Sequence, residues 1–174
     1  MSYKNFILCL GPRSKYFISG VSLAFDLLIS GFKERNIYYE VIDSSGGKNI
    51  KKSGAFSIQR GITVVKAVFS TWLKLPKCTI FYATMSTSKL GFFRDFLTVP
   101  VAKFMGKKII LHLHGGGFEA FYLDSPEWIK YLIRFNLRKT DKVIVLGELL
   151  KRQFFCVGPF IEKKLTVVPN GLTL

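Results

Sequence analysis

Lys107-Lys108-Ile109-Ile110-Leu111-His112-Leu113-His114-Gly115-Gly116-Gly117-Phe118 joins two kinds of chain end to end. The run through Leu113 is short, apolar and β-branched at its start, which reads as a buried strand over 108–113. Three glycines follow; with no side chains there, the backbone can pass close to a ligand or take positive φ. Side chains alternate along a strand, so His112 and His114 share one face, and His114 stands where the glycines begin. His112 reads as a core histidine with a satisfied hydrogen bond. His114, beside the glycines, reads as a functional one.

Working outward, apolar β-type runs recur at 6–10, 37–42, 79–83, 142–146 and 165–168, separated by longer segments of helical periodicity. This alternation predicts an α/β fold, a parallel sheet covered by helices on both faces. Helices are expected at 18–35, 58–75, 90–105, 126–137 and 147–155. The second carries Ile58, Ile62, Val65, Phe69 and Trp72, spacings of 4, 3, 4 and 3 that keep one face apolar. Pro100 is expected to kink or shorten the third. Ser125 before Pro126 reads as an N-cap. The small, basic stretch 44–54 reads as a mobile loop inside the domain.

At 174 residues the chain is the size of one domain, 1–174. Its 49% apolar and 21% charged residues are the balance of a folded protein. Charges interrupt every run long enough to cross a bilayer, and residues 6–10 are too short for a signal peptide's apolar region. Cys9, Cys78 and Cys156 are odd in number and widely spaced, which offers neither a disulfide framework nor a zinc motif, so no metal site is expected. A reducing cytoplasm fits this usage best. The formal charge of +15 favours an anionic partner: nucleic acid, an acidic membrane surface or a phosphorylated substrate.

In open parallel sheets ligands bind outside the carboxyl ends of the strands. The first such loop runs from Gly11-Pro12-Arg13 to Ser19-Gly20-Val21-Ser22, where a glycine at a helix start lets an anion or sugar approach free backbone N–H groups. It lacks the regular Gly-x-Gly-x-x-Gly spacing. After the third strand, Thr84-Met85-Ser86-Thr87-Ser88 brings hydroxyls, and Arg94 and Asp95 follow early in the helix. Adjacent Arg and Asp also fit an ordinary surface pair. His-Gly-Gly-Gly-Phe matches the oxyanion-hole motif of α/β-hydrolases as well. That family needs a nucleophile and a histidine further on, and after His114 there is one serine, Ser125, without Gly-x-Ser-x-Gly flanks, and no histidine. The hydrolase alternative stands only for a chain cut before its nucleophile.

Taken in order, Gly11-Pro12, Ser19-Gly20-Val21, Gly91-Phe92-Phe93-Arg94-Asp95, the His112-Leu113-His114-Gly115-Gly116 strand end, Asp141-Lys142-Val143-Ile144-Val145-Leu146 and Val167-Val168-Pro169-Asn170-Gly171 resemble the N-terminal domain of family 4 glycosyltransferases, the group 1 or capsular-polysaccharide type. The resemblance spans essentially the whole chain. It implies one Rossmann-like half of a two-domain GT-B enzyme that transfers a sugar from a nucleotide sugar with retention, without a metal or a permanently bound cofactor, in cell-surface polysaccharide or glycoconjugate synthesis.

By resemblance, Gly20 with Ser19 lies near the donor phosphates, although Ser19-Gly20 departs from the commoner paired glycines. His114, with Gly115 and Gly116, lies near the donor sugar and the reacting centre. Arg94 and Asp95 sit toward the acceptor, and Asn170-Gly171 enters the interdomain linker. The donor is expected to be UDP- or GDP-linked and the acceptor a glycan or lipid-linked sugar. The nucleotide-holding C-terminal domain is not in this sequence, so the chain alone is expected to be nearly inert, with a separately encoded donor domain as a candidate partner. A basic, aromatic helix at 58–77, with Arg60, Lys66, Lys74 and Lys77, could instead lie on an anionic membrane from the cytoplasmic side. A basic nucleic-acid-binding module is the remaining alternative, disfavoured because the cations are dispersed and no binding motif is present.

Overall fold

The computed structural model describes residues 6–15, 18–45 and 58–170. Six strands form one sheet: β1 (Ile7–Gly11), β2 (Tyr39–Asp43), β3 (Ile80–Thr84), β4 (Lys108–Leu113), β5 (Lys142–Val145) and β6 (Leu165–Val167). Their order is β2-β1-β3-β4-β5-β6, and every neighbouring pair is parallel. Parallel neighbours need a crossover between them. These crossovers carry α1 (Gly20–Glu34), α2 (Ile58–Lys74), α3 (Lys89–Phe104), α4 (Phe118–Leu123), α5 (Glu127–Lys139) and α6 (Glu148–Lys151), with 3-10 turns at Leu75–Lys77, Arg152–Val157 and Pro159–Lys164. The chain therefore adopts the expected Rossmann-like α/β class.

Alternation along each strand sorts the core onto two faces. Leu8, Leu10, Phe81, Ala83, Ile109, Leu111, Val143 and Val145 point one way, into the cluster closed by α2, α3 and α5. Cys9 and Tyr82 point the other way, under Phe25 and Ile29 of α1. The first layer is the thicker one. Its fully buried Phe81, Ile109 and Leu111 are each worth about 1.5–3 kcal/mol relative to exposure.

Three local expectations are corrected. Pro100 lies inside α3 without shortening it, and the helix continues to Phe104. A proline loosens the carbonyls one turn before it. Here the Leu97 carbonyl accepts a hydrogen bond from the Trp72 indole N–H of α2 at 2.9 Å. Ser125 is not the N-cap of α5; Pro126 holds that position. The Ser125 hydroxyl donates instead to the Phe121 carbonyl at 2.6 Å, closing α4, a helix not among those expected. The segment 147–155 splits into the short α6 and a 3-10 turn.

The seating of α2 is decided only in the fold. The stripe Ile58, Ile62, Val65, Phe69 and Trp72 faces outward, and α2 buries Ala67, Val68 and Thr71 instead. The basic loop expected at 44–54 lies outside the described residues beyond Ser45.

Gly11, the last residue of β1, meets α1 too closely for any side chain. A Cβ there would stand 2.6 Å from the Phe25 ring, which is fully buried and has no room to swing. Gly11→Ala is expected to cost about 1–3 kcal/mol by overpacking, measured as a lower urea midpoint with unchanged slope.

Candidate functional site

The crossovers from β1 to β2 and from β2 to β3 leave β1 and β3 as neighbours, which puts the topological switch point at their carboxyl ends. On the β1 side, Arg13 and Ser14 both bond the Asp26 carboxylate of α1, and the Arg13 N–H donates to Asp43 at the end of β2. These bonds hold the loop against two elements. Ser19 caps α1 through a reciprocal box: its hydroxyl accepts from the Ser22 N–H at 3.2 Å, and its own N–H donates to the Ser22 hydroxyl at 2.9 Å. Gly20 opens the helix, and a Cβ there would meet nothing within 4 Å. At a helix start the dipole favours negative charge.

On the β3 side, Arg94 and Asp95 are buried, 6% and 2% exposed, and so do not form the ordinary surface pair. The Arg94 guanidinium donates to the Asp95 carboxylate through Nε (2.8 Å) and Nη2 (2.6 Å), and to the Thr84 carbonyl at 2.6 Å. The other Asp95 oxygen accepts the Ser86 N–H at 3.1 Å. Burial pushes the Asp95 carboxyl up, and Arg94 beside it pulls the other way. The pair therefore ties the end of β3 to α3 from behind the loop. Both side chains face the protein's own backbone.

The β4 end places His112 and His114 on one face, as alternation requires, with their rings stacked at 3.8 Å. His112 is buried, and its Nδ1 lies 2.7 Å from the Tyr82 hydroxyl. Burial pushes that phenol up and keeps it protonated. A protonated phenol can donate to Nδ1, which leaves the ring proton on Nε2. Nε2 is buried without a partner, so the satisfied core histidine expected from sequence is satisfied on one side only. His114 is half-buried, and neither of its ring nitrogens has a partner in hydrogen-bonding geometry.

Burial lowers His112 to about 3, with His114 beside it pushing the same way. Burial also lowers His114 to about 4, opposed by the nearby Asn170 side chain. Both imidazoles are neutral at physiological pH, and both keep unused hydrogen-bonding capacity.

Gly115 (φ 142°) and Gly117 (φ 90°) take the positive φ that the triple glycine predicts. The loop is stapled at both ends by Gln153: its amide donates to the Gly115 carbonyl at 3.2 Å and accepts the Phe118 N–H at 3.0 Å. Gly116 lies on the exposed side of the staple. Parallel pairing sets Thr84 of β3 opposite His112, and the Met85 N–H bonds the His112 carbonyl at 2.9 Å, which ties the start of the β3 loop to the end of β4.

His114, Gly115, Gly116 and Asn170 are thus brought together, while Arg94 and Asp95 support the neighbouring loop from inside. Gly171 lies outside the described residues. Tyr82 and Gln153 were missed in sequence. Tyr82 is two residues before the end of β3 on the same face as His112, a signal that strand alternation plus neighbour order could have supplied. Gln153 carries no sequence signal, because its target is a backbone 38 residues away. Ser125 is buried with its hydroxyl bonded to a carbonyl, so it does not serve as a hydrolase nucleophile. Among the described residues, no helix is long and apolar enough to cross a membrane. No protein-family model matches the chain, and no curated protein matches it.

Asp95→Asn leaves the buried Arg94 guanidinium without its countercharge and is expected to cost about 3–5 kcal/mol by denaturant unfolding. The histidines set an acid limit. Their folded pKa values lie below the ordinary 6.5, so below that pH the unfolded chain takes up protons that the folded rings refuse. Stability is therefore fully present above pH 6.5 and falls as pH drops toward 4. The melting temperature should decline across that window, and a His112→Gln, His114→Gln double variant should flatten the decline.

Proposed function

We propose that this chain is the acceptor-side domain of a retaining, nucleotide-sugar-dependent glycosyltransferase of the two-domain GT-B kind, working in cell-surface polysaccharide or glycoconjugate synthesis. The observation that carries the reading is the end of β4: a neutral His114 with both ring nitrogens unpartnered, beside a glycine loop that keeps side chains out of the way. A neutral imidazole can accept from one sugar hydroxyl and donate to another, which an imidazolium or an ammonium cannot do. Glycines let a bulky, hydroxyl-rich ring approach the backbone.

The helix start at Ser19-Gly20 supports the same reading from across the switch point. In it, the Gly20 and Val21 N–H groups and the α1 dipole face the donor's phosphates, adding to charge stabilisation that comes mainly from a second domain. UDP- or GDP-linked sugars are the donors in view, and a glycan or lipid-linked sugar is the acceptor. Asn170 borders His114. Arg94 and Asp95 act indirectly, by fixing the loop after β3 against the acceptor side. A cytoplasmic setting goes with this reading: Cys9, Cys78 and Cys156 are free thiols, which a reducing compartment preserves.

Titration of 15N-labelled chain with UDP- and GDP-sugars and with a short glycan acceptor tests the proposal. Amide shifts are expected at Ser19–Val21 and Gly115–Gly117, and His114→Ala should abolish those in the glycine loop while the far-UV circular dichroism spectrum stays that of the parent chain. Nucleotide release by the chain alone should be negligible. Shifts confined to other surfaces, or rapid turnover of a nucleotide sugar by the 174-residue chain, overturn the reading.

A further inference from the structure

The His114 ring has little of its own to hold it. Neither of its nitrogens has a partner in hydrogen-bonding geometry, and the Asn170 side chain beside it is exposed. The three residues that follow are glycines, with no side chains to pack against the imidazole and with open space where a Cβ would stand. What does lie against the ring is His112: the centroids are 3.8 Å apart and the planes 30° from parallel. An imidazole turned over about its Cβ–Cγ bond trades nitrogen for carbon at nearly the same shape, so shape alone selects poorly between the two orientations. His114 takes its placement from the ring it stacks on.

His112, in turn, is fixed by a bond. It is buried, and its Nδ1 stands 2.7 Å from the Tyr82 hydroxyl on the adjacent β3. Turned over, the ring would set a carbon against the phenol oxygen and leave two buried polar atoms without a partner, so the bond selects one orientation. The phenol donates, because burial keeps it protonated, and so it specifies the Nε2–H tautomer as well. Tyr82 is itself enclosed: its ring stacks on Phe25 of α1 at 6.2 Å and meets His112 edge-on at 6.0 Å and 89°. A line of contacts thus runs from α1 through β3 and β4 to the edge of the glycine loop.

We propose that Tyr82 and His112 are positioning residues for His114: the phenol fixes the orientation and tautomer of His112, and the flat face of His112 fixes the His114 imidazole where a ligand hydroxyl meets it. Neither Tyr82 nor His112 contacts the ligand. The proposal rests on the reading of His114 as the ligand-binding group.

The test uses the full chain with isotope-labelled histidine at neutral pH. In the parent chain, His112 should show its proton on Nε2 with Nδ1 as acceptor. The His114 ring protons should resonate upfield of ordinary histidine positions, because they lie against the His112 ring. Tyr82→Phe removes one oxygen and keeps the ring, so the far-UV circular dichroism spectrum should be unchanged. In that variant the His112 nitrogen signals should move toward those of an imidazole exchanging between tautomers. The His114 ring protons should move back toward ordinary positions, although the phenol is bonded to His112 and not to His114. A His112→Phe chain separates this route from general loosening: the phenol there has no ring nitrogen to hold, so adding Tyr82→Phe should leave the His114 signals in place.

With UDP- or GDP-sugar added, Tyr82→Phe should raise the Kd read from the Gly115–Gly117 amides about fivefold, the scale of one net hydrogen bond. Unmoved His114 signals in Tyr82→Phe, or an equal movement in the His112→Phe background, overturn the proposal. Should Tyr82→Phe fail to fold, His112→Gln, which has no ring to stack, must shift the same His114 protons, and the proposal falls if it does not. The histidine readouts need no sugar, so absence of sugar-induced shifts in the parent chain overturns the sugar-transfer reading instead.

Discussion

A strand inside a parallel sheet has to satisfy its backbone on both edges and place side chains on both faces, and β4 is where this constraint organises the rest of the molecule. It pairs with β3 and β5, and it sends Ile109, Leu111 and Leu113 into the larger core. The same alternation forces His112 and His114 onto the opposite face. There the strand carries two polar rings in place of two aliphatic ones, and they lean on each other and on Tyr82. Burying an imidazole without a full set of partners has a cost. The chain meets it by keeping both rings neutral.

The loops around that strand end are held by bonds to backbone. Arg94 and Asp95 bind the Thr84 carbonyl and the Ser86 N–H, and Gln153 binds the Gly115 carbonyl and the Phe118 N–H. Glycines at positive φ lack side chains that could anchor them, so a remote amide does it. The result is a carboxyl edge that holds buried, unpartnered imidazole nitrogens beneath it and whose rear is braced by a buried ion pair. Such pairs are a poor source of net stability but strict about geometry, since removing one partner strands the other.

The helices show a different balance. Thr71, Ala67 and Val68 are small enough to let α2 lie close to the sheet, and the helix seats itself on them although a larger apolar stripe was available. Its amphipathic pattern is real but serves the outer surface. Periodicity registers that one face of a helix is apolar; it carries no information about which direction that face will point. The indole of Trp72, bonded across to the Leu97 carbonyl of α3, shows how the two helices settle together.

From sequence alone, the α/β class, the six strands along the chain and the shared face of His112 and His114 could be read, because periods of two and of 3.6 are local and survive without neighbours; which strands lie side by side could not. So could positive φ in the triple glycine, which follows from the missing Cβ. Element ends at Ser125 and around 147–155 were misplaced, since competing carbonyls and caps decide them. Tertiary structure alone decided which face of α2 is buried, that Arg94 and Asp95 turn inward, that Gln153 reaches back to the glycine loop, and that His112 keeps one ring nitrogen unpaired. Each of these depends on a contact between segments far apart in the chain, where shape and the supply of hydrogen-bond partners outweigh local preference.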